Sequence, residues 1–223
     1  MARLNLTDIT LVLDRSGSMQ SVKQATIDAF NTFLRSQRSG IGFGRMTLVQ
    51  FDDQYEVNYQ GLPLIEAEEL NATTYQPRAS TALLDAMGRT ILATRARLTA
   101  LPEHDRPGTV LFVTLTDGQE NASREFTVPR INQMIREYRE EHGWQFVFLA
   151  ATQDAIATAG AMGMGAAQSL TFELSMRGTA ACLASLNKQV HKMRKRTFEG
   201  AAAEDFEFDE ADRAAQHLPP DRK

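Results

Sequence analysis

The amino-acid sequence predicts an α/β fold: a doubly wound, mostly parallel central sheet with one antiparallel edge strand and helices on both faces. Two observations carry this expectation. Short stretches dense in apolar and β-branched residues, Ile9–Leu13, Thr109–Thr116 and Trp144–Ala150, have the pattern of strands buried on both faces. The segments between them carry apolar residues at helical spacing. Strand and helix alternate along the whole chain, which argues for right-handed crossovers in a sheet covered on both sides. With no internal repeat or linker, residues 1–197 form one domain, and residues 198–223 form an acidic C-terminal tail.

The elements follow in order. After the opening strand, Val22, Ala25, Ile27, Phe30, Phe33 and Leu34 recur with helical spacing up to Gly40. Gly40, Gly42 and Gly44 lie between a helix and a strand, whereas a dinucleotide fingerprint follows a strand, so they make a flexible turn. Met46–Phe51 is the second strand, and Asp52-Asp53-Gln54 turns it into Tyr55–Tyr59, an edge strand paired antiparallel to it. Glu66–Leu70 is a candidate short helix, and Tyr75–Ser80 a loop marked by Pro77. Thr81 opens a helix with the stripe Leu84, Met87, Ile91 and Leu98, and Pro102–Gly108 is loop. Thr109–Thr116 ends in Asp117-Gly118, and Val128, Ile131, Ile135 and Tyr138 mark the next helix, with Pro129 in its first turn. Trp144–Ala150 leads to Thr152-Gln153-Asp154, which caps a short helix. A Gly/Met turn, Gly160–Gly165, precedes the last strand, Ser169–Phe172, and Leu183, Leu186, Val190 and Met193 give the final helix its buried face.

In an open parallel sheet, ligands bind outside the carboxyl ends of the strands. The first strand ends there in Asp14-Arg15-Ser16-Gly17-Ser18, a carboxylate and two hydroxyls on one tight loop. Hard oxygen donors suit Mg²⁺, Mn²⁺ or Ca²⁺. The plainer alternative is that Asp14 and Ser18 only cap the following helix. Asp117 reaches the same edge from the central strand, and a polar loop delivers Ser80-Thr81 between them.

Asp14, Ser16 and Ser18, then Thr81, then Asp117-Gly118, resemble the metal-ion-dependent adhesion site (MIDAS) of the von Willebrand factor A (VWA) family. The likeness extends in order and spacing over roughly Ile9 to Arg196, and it is nearest to the short intracellular bacterial members, including those near tellurium-resistance genes. It implies a Rossmann-like VWA fold in which Ser16, Ser18 and Thr81 bind a divalent cation directly. Asp14 and Asp117 would bind through water or exchange into direct contact. Neutral hydroxyls would leave the cation charge and an open position for a Glu or Asp of a partner protein. Where many relatives have glycine before the Thr, this chain has Ala79-Ser80.

Composition limits the alternatives. Hydrophobic residues at 43% and charged residues at 23% of 223 are those of a globular domain with a full core. The net charge of −4 gives no reason to expect nucleic acid. Cys182, the single cysteine, leaves no intrachain disulfide or cysteine-based zinc site, and fits a core thiol. Met1-Ala2-Arg3 leads almost directly into a strand, and no segment approaches the ~20 apolar residues that span a bilayer, so a cytoplasmic location is expected. The sequons at Asn71 and Asn121 are accordingly chance matches.

The alternative function is a Mg²⁺-dependent phosphoesterase using the same strand-end metal. Aspartyl-nucleophile phosphatases need a second carboxylate two residues after the first, and that position is Ser16. No phosphate loop or nucleophile elbow occurs, and His104, His142, His191 and His217 are scattered. Lys188, His191, Lys192, Arg194, Lys195 and Arg196 form a basic cluster that complements a helix C-terminus. The tail interleaves Glu204, Asp205, Glu207, Asp209, Glu210 and Asp212 with Phe206 and Phe208. It is expected to be solvated or to fold back on the basic helix end. A sharper expectation has one of its carboxylates entering a metal site of its own chain or a neighbour's.

Overall fold

A computed structural model describes residues 3–117, 120–151, 153–201 and 204–216. Six strands form one sheet in the order β3-β2-β1-β4-β5-β6. They are β1 (Arg3–Asp14), β2 (Phe43–Phe51), β3 (Tyr55–Pro63), β4 (Pro107–Thr116), β5 (Gln145–Ala150) and β6 (Ser169–Thr171). All neighbours pair parallel except β3, which runs antiparallel to β2 at the edge. The expected fold is therefore the observed one. Helices α1 (Lys23–Arg38), α2 (Leu83–Ala100), α3 (Val128–His142), α4 (Gln153–Ala161), α5 (Met176–Phe198) and α6 (Glu210–Ala215) complete it.

The central strands carry apolar side chains to both faces. On β1, Ile9, Leu11 and Leu13 join the cluster under α1 and α5, while Val12 joins the cluster under α2 and α3. On β4, Leu111, Val113 and Leu115 alternate with Val110 and Phe112 in the same way. Such double burial is why these strands are near-continuous apolar runs. β1 starts well before Ile9 because Asp8, fully buried in mid-strand, takes a bidentate ion pair from Arg97 of α2 at 2.7 and 2.9 Å. A charge buried with a geometrically matched partner does not end a strand.

Other boundaries also move. The segment after Gly17 begins as a 3-10 turn, Gly17–Val22, before α1. β2 starts at Phe43, so Gly44 lies in the strand, while Gly40 and Gly42 lie in the turn before it and Gly42 takes the left-handed φ of +76°. Glu66–Leu70 forms no helix. Its peptide groups are already taken: Asn31 brackets Leu70, donating to its carbonyl and accepting its N–H at 2.8 Å each, and Arg38 donates to the carbonyls of Leu64 and Ala67. The proposed cap of α4 includes Thr152, which lies outside the described residues.

The tail is ordered over 204–216, against the expectation of a solvated segment. Phe206 and Phe208 are buried in the same cluster as α1 and α5, with their rings edge to face. The Phe206 N–H donates to Gln145 Oε1 and the Phe208 N–H to the Ala167 carbonyl. α6 has a capping box formed by Asp209 and Asp212. Lys188 donates to Asp209 and Asp212, and Arg196 to Glu204, so part of the basic helix end is neutralised by the tail, as the fold-back alternative supposed. Arg194 is buried instead, donating to Gln37 and the Gly42 carbonyl.

Gln145 opens β5, so these tail contacts lie toward the amino edge of the sheet, away from Asp14. Among the described residues, Asp209 and Asp212 of the tail pair with Lys188 and Gln189, and Glu204 with Arg196, rather than with the metal-site residues. Replacing Phe206 or Phe208 by Ala should destabilise the domain by about 3 kcal/mol each, the usual cost of deleting a buried ring. Denaturant unfolding checks this, and a loss below about 1 kcal/mol would mean the tail is only laid on the surface.

Candidate metal centre

The strand order reverses between β1 and β4. The chain leaves β1 for α1 on one face and leaves β4 for α3 on the other, opening a crevice outside their carboxyl ends. Asp14 ends β1 and is fully buried. Its Oδ1 accepts the Ser16 N–H at 2.6 Å, and its Oδ2 accepts the Thr116 hydroxyl at 2.5 Å. Its carbonyl accepts the Tyr75 hydroxyl at 2.7 Å. Both carboxylate oxygens are thus engaged by protein, an arrangement that orients Asp14 behind the hydroxyls.

Ser16 and Ser18 place their hydroxyls 3.1 Å apart. Ser16 makes no side-chain cap, and Ser18 donates to Asp117 Oδ1 at 2.8 Å. The capping alternative therefore fails for the serine hydroxyls: they face each other and Asp117. Asp117 Oδ2 is buried and has no hydrogen-bond partner among the described residues. Thr81 is buried two residues ahead of α2, not at its first position. Its N–H donates to Asn121 Oδ1 at 2.9 Å, and its carbonyl accepts the N–H groups of Asn121 and Ala122. The Gly17 N–H donates to the Ala79 carbonyl at 3.1 Å, which ties the Thr81 loop to the Ser16–Ser18 loop. Asp14, at the end of β1, and the loops that carry Ser16, Ser18, Thr81 and Asp117 are thus joined at one edge.

The electrostatics favour a cation. Burial pushes the Asp14 carboxyl up to about 6, against hydrogen bonds from Thr116 and Ser16, and the negative Asp117 adds to the rise. Burial likewise raises Asp117, against the Ser18 hydrogen bond. Among the described residues neither carboxylate pairs with Lys, Arg or His. The nearby guanidinium, Arg15, donates instead to Asp52 at 3.0 Å and Glu56 at 2.6 Å, and Arg78 adds a second donor to Asp52. Two carboxylates, one of them with an orphaned buried oxygen, and the Ser16 and Ser18 hydroxyls, with Thr81 on the adjoining loop, fit a hard divalent cation. No group of three or more His, Cys, Asp or Glu among the described residues could hold a metal, so hydroxyls would have to supply part of any such shell.

Sequence reasoning missed the scaffold around these residues. Asp85, in the first turn of α2, accepts the N–H groups of Arg124, Glu125 and Phe126 at 2.8–2.9 Å. Burial raises its carboxyl, but those three donors and Arg89 outweigh this and hold it below its ordinary value. Glu120 takes the Leu84 N–H, and Ser123 the Asp85 N–H. The one usable signal was the density of Asp, Glu, Asn and Ser just after a strand-end Asp. Tyr75, assigned only to a loop, is wholly buried under Asp14.

The model of the von Willebrand factor type A domain matches residues 8–189. The chain belongs to this family. A comparison with curated protein sequences finds no match. Among solved structures, the domain is similar to proximal thread matrix protein 1 from the mussel byssus, in a form with a zinc-occupied MIDAS motif. The TM-score is 0.57 at 16% identity, over 83% of this chain and 46% of that one. It is also similar to the ArnB paralog VWA2 from Sulfolobus acidocaldarius (TM-score 0.53, 14% identity, 82% and 44% covered). A third is the pilus adhesin SpaC from Lactobacillus rhamnosus GG (TM-score 0.58, 14% identity, 83% and 30% covered). These identities speak for the VWA fold alone, and the chain spans less than half the length of each structure.

One departure from the family pattern has a physical consequence. Ala79 has φ +56°, the left-handed region that glycine adopts freely and alanine does not. A residue with Cβ loses roughly 1–2 kcal/mol there, while glycine loses about 0.4–1 kcal/mol through the freer unfolded chain. Ala79→Gly should therefore stabilise this VWA domain by about 0.5–1 kcal/mol in denaturant unfolding, and a destabilised variant would refute the strain assignment.

Proposed function

We propose that this VWA domain is a protein-binding module that recognises an acidic residue of a partner through a divalent cation, Mg²⁺ or alternatively Mn²⁺ or Ca²⁺. The observation that carries the reading is the Ser16–Ser18–Asp117 cluster at the β1/β4 crevice, with its unsatisfied buried carboxylate oxygen. Ser16, Ser18 and Thr81 would hold the cation through neutral oxygens, with Asp14 and Asp117 behind them. The bound ion supplies a positive charge to an edge that otherwise concentrates negative charge. The chain's own residues do the rest: Asp14 orients the Ser16 backbone, Thr116 holds Asp14, and Arg15 is kept off the carboxylates by Asp52 and Glu56. A partner Glu or Asp fits an ion whose protein ligands leave it charge to share.

Membership of the family supports a metal-centred binding site, and the relatives include a structure with a zinc-occupied MIDAS motif and a pilus adhesin. No helix among the described residues is long and apolar enough to cross a membrane. We place the domain in the cytoplasm and, with Ser16 where a phosphatase needs its second carboxylate, assign it no catalysis.

Titration calorimetry with Mg²⁺, Mn²⁺ and Ca²⁺ tests this. The wild type should bind one cation, and Ser16→Ala/Ser18→Ala should lose at least about 10-fold in affinity. Equal binding by the double variant would refute the site. Turnover of a phosphate ester by the Mg²⁺-loaded protein would favour the phosphoesterase instead.

A further inference from the structure

Three loops carry the proposed metal ligands, and hydrogen bonds join them in a closed ring. Ser18 donates to Asp117 at 2.8 Å, linking the first loop to the end of β4. The Gly17 N–H donates to the Ala79 carbonyl at 3.1 Å, linking the first loop to the second. The remaining link, from the second loop to the segment after β4, is the Thr81–Asn121 contact. Building on the metal-binding reading, we propose that Asn121 is a positioning residue of the centre, which closes this ring and sets where the Thr81 hydroxyl can lie.

Asn121 does so from both sides of one residue. Its side-chain oxygen takes the Thr81 N–H at 2.9 Å, while its own N–H and that of Ala122 donate to the Thr81 carbonyl at 3.1 and 3.2 Å. A threonine with both peptide groups held has little freedom beyond χ1, and β-branching restricts that as well. The placement matters more here than in a carboxylate cage. A neutral hydroxyl attracts a cation weakly, so its contribution depends on being held in position beforehand. Residues that orient metal ligands typically change affinity by about 10–100-fold when removed.

The surroundings allow this role to be separated from folding. Asn121 is exposed, so truncating it opens no core cavity. The segment remains tied to α2 by Glu120 on the Leu84 N–H, Ser123 on the Asp85 N–H, and Asp85 on three successive N–H groups. Aspartate at position 121 would keep an acceptor for the Thr81 N–H.

The test is calorimetric titration of Mn²⁺ alone into the full chain, for wild type, Asn121→Ala, Asn121→Asp and Asn132→Ala. Asn132, on α3, donates to the Ala161 carbonyl at the end of α4 and serves as a remote control. Unfolding in EDTA and exchange of the Thr81 amide are measured in parallel. Asn121→Ala should bind about 10-fold more weakly and lose protection at Thr81, with its unfolding temperature in EDTA within about 2 °C of wild type. Asn121→Asp and Asn132→Ala should stay within about 2-fold of wild type. Wild-type affinity in Asn121→Ala would overturn the positioning role and leave the metal site standing. A loss shared by Asn121→Asp would also overturn it. Absence of Mn²⁺ binding in the wild type would overturn the metal reading and this inference together.

Discussion

The structure depends on a carboxylate buried at the end of the first strand. Asp14 has no exposed surface, and a charge removed from water must be met by partners. Here the Ser16 N–H and the Thr116 hydroxyl meet it, one from the turn after β1 and one from β4. The same contacts fix the tight loop that presents Ser16 and Ser18, and they tie β1 to β4 at the point where the strand order reverses. Tyr75, buried beneath, brings in the loop that leads to Thr81.

These hydrogen bonds satisfy the Asp14 oxygens without neutralising them. Burial still raises both Asp14 and Asp117, and each is near the other's negative charge. The chain has a cation at hand in Arg15, inside the same pentapeptide, yet binds it to Asp52 and Glu56. Keeping the guanidinium away leaves the edge negative and ready for a mobile ion. A fixed ion pair there would have satisfied the carboxylates permanently. The negative edge, the neutral hydroxyls and the ring of loops are therefore one arrangement with one physical cause.

Much of this was legible in the sequence, because it follows from short-range patterns. Ile9–Leu13 and Leu111–Leu115 announce doubly buried strands by having no polar alternation, and the edge strand announces itself by having it. Asp14, Ser16 and Ser18 are neighbours, so their convergence needs only one turn. What was hidden depends on distant partners. Asp8 looks like a strand boundary until Arg97, 89 residues away, is placed opposite it. Glu66–Leu70 looks helical until Asn31 and Arg38 claim its peptide groups. Phe206 and Phe208 sit in an acidic stretch whose composition suggests solvent, and only the tertiary fold supplies the cleft that buries them. Asn121 looked like half of a chance sequon, since its partner Thr81 is 40 residues earlier.

The most direct measurement is anomalous diffraction from crystals of the full chain soaked in Mn²⁺. The account predicts one strong peak at the β1/β4 edge, within about 2.0–2.4 Å of the Ser16, Ser18 and Thr81 hydroxyl oxygens, with Asp14 and Asp117 around it. A peak bound elsewhere, or an edge that stays empty while Mn²⁺ occupies other sites, would contradict it.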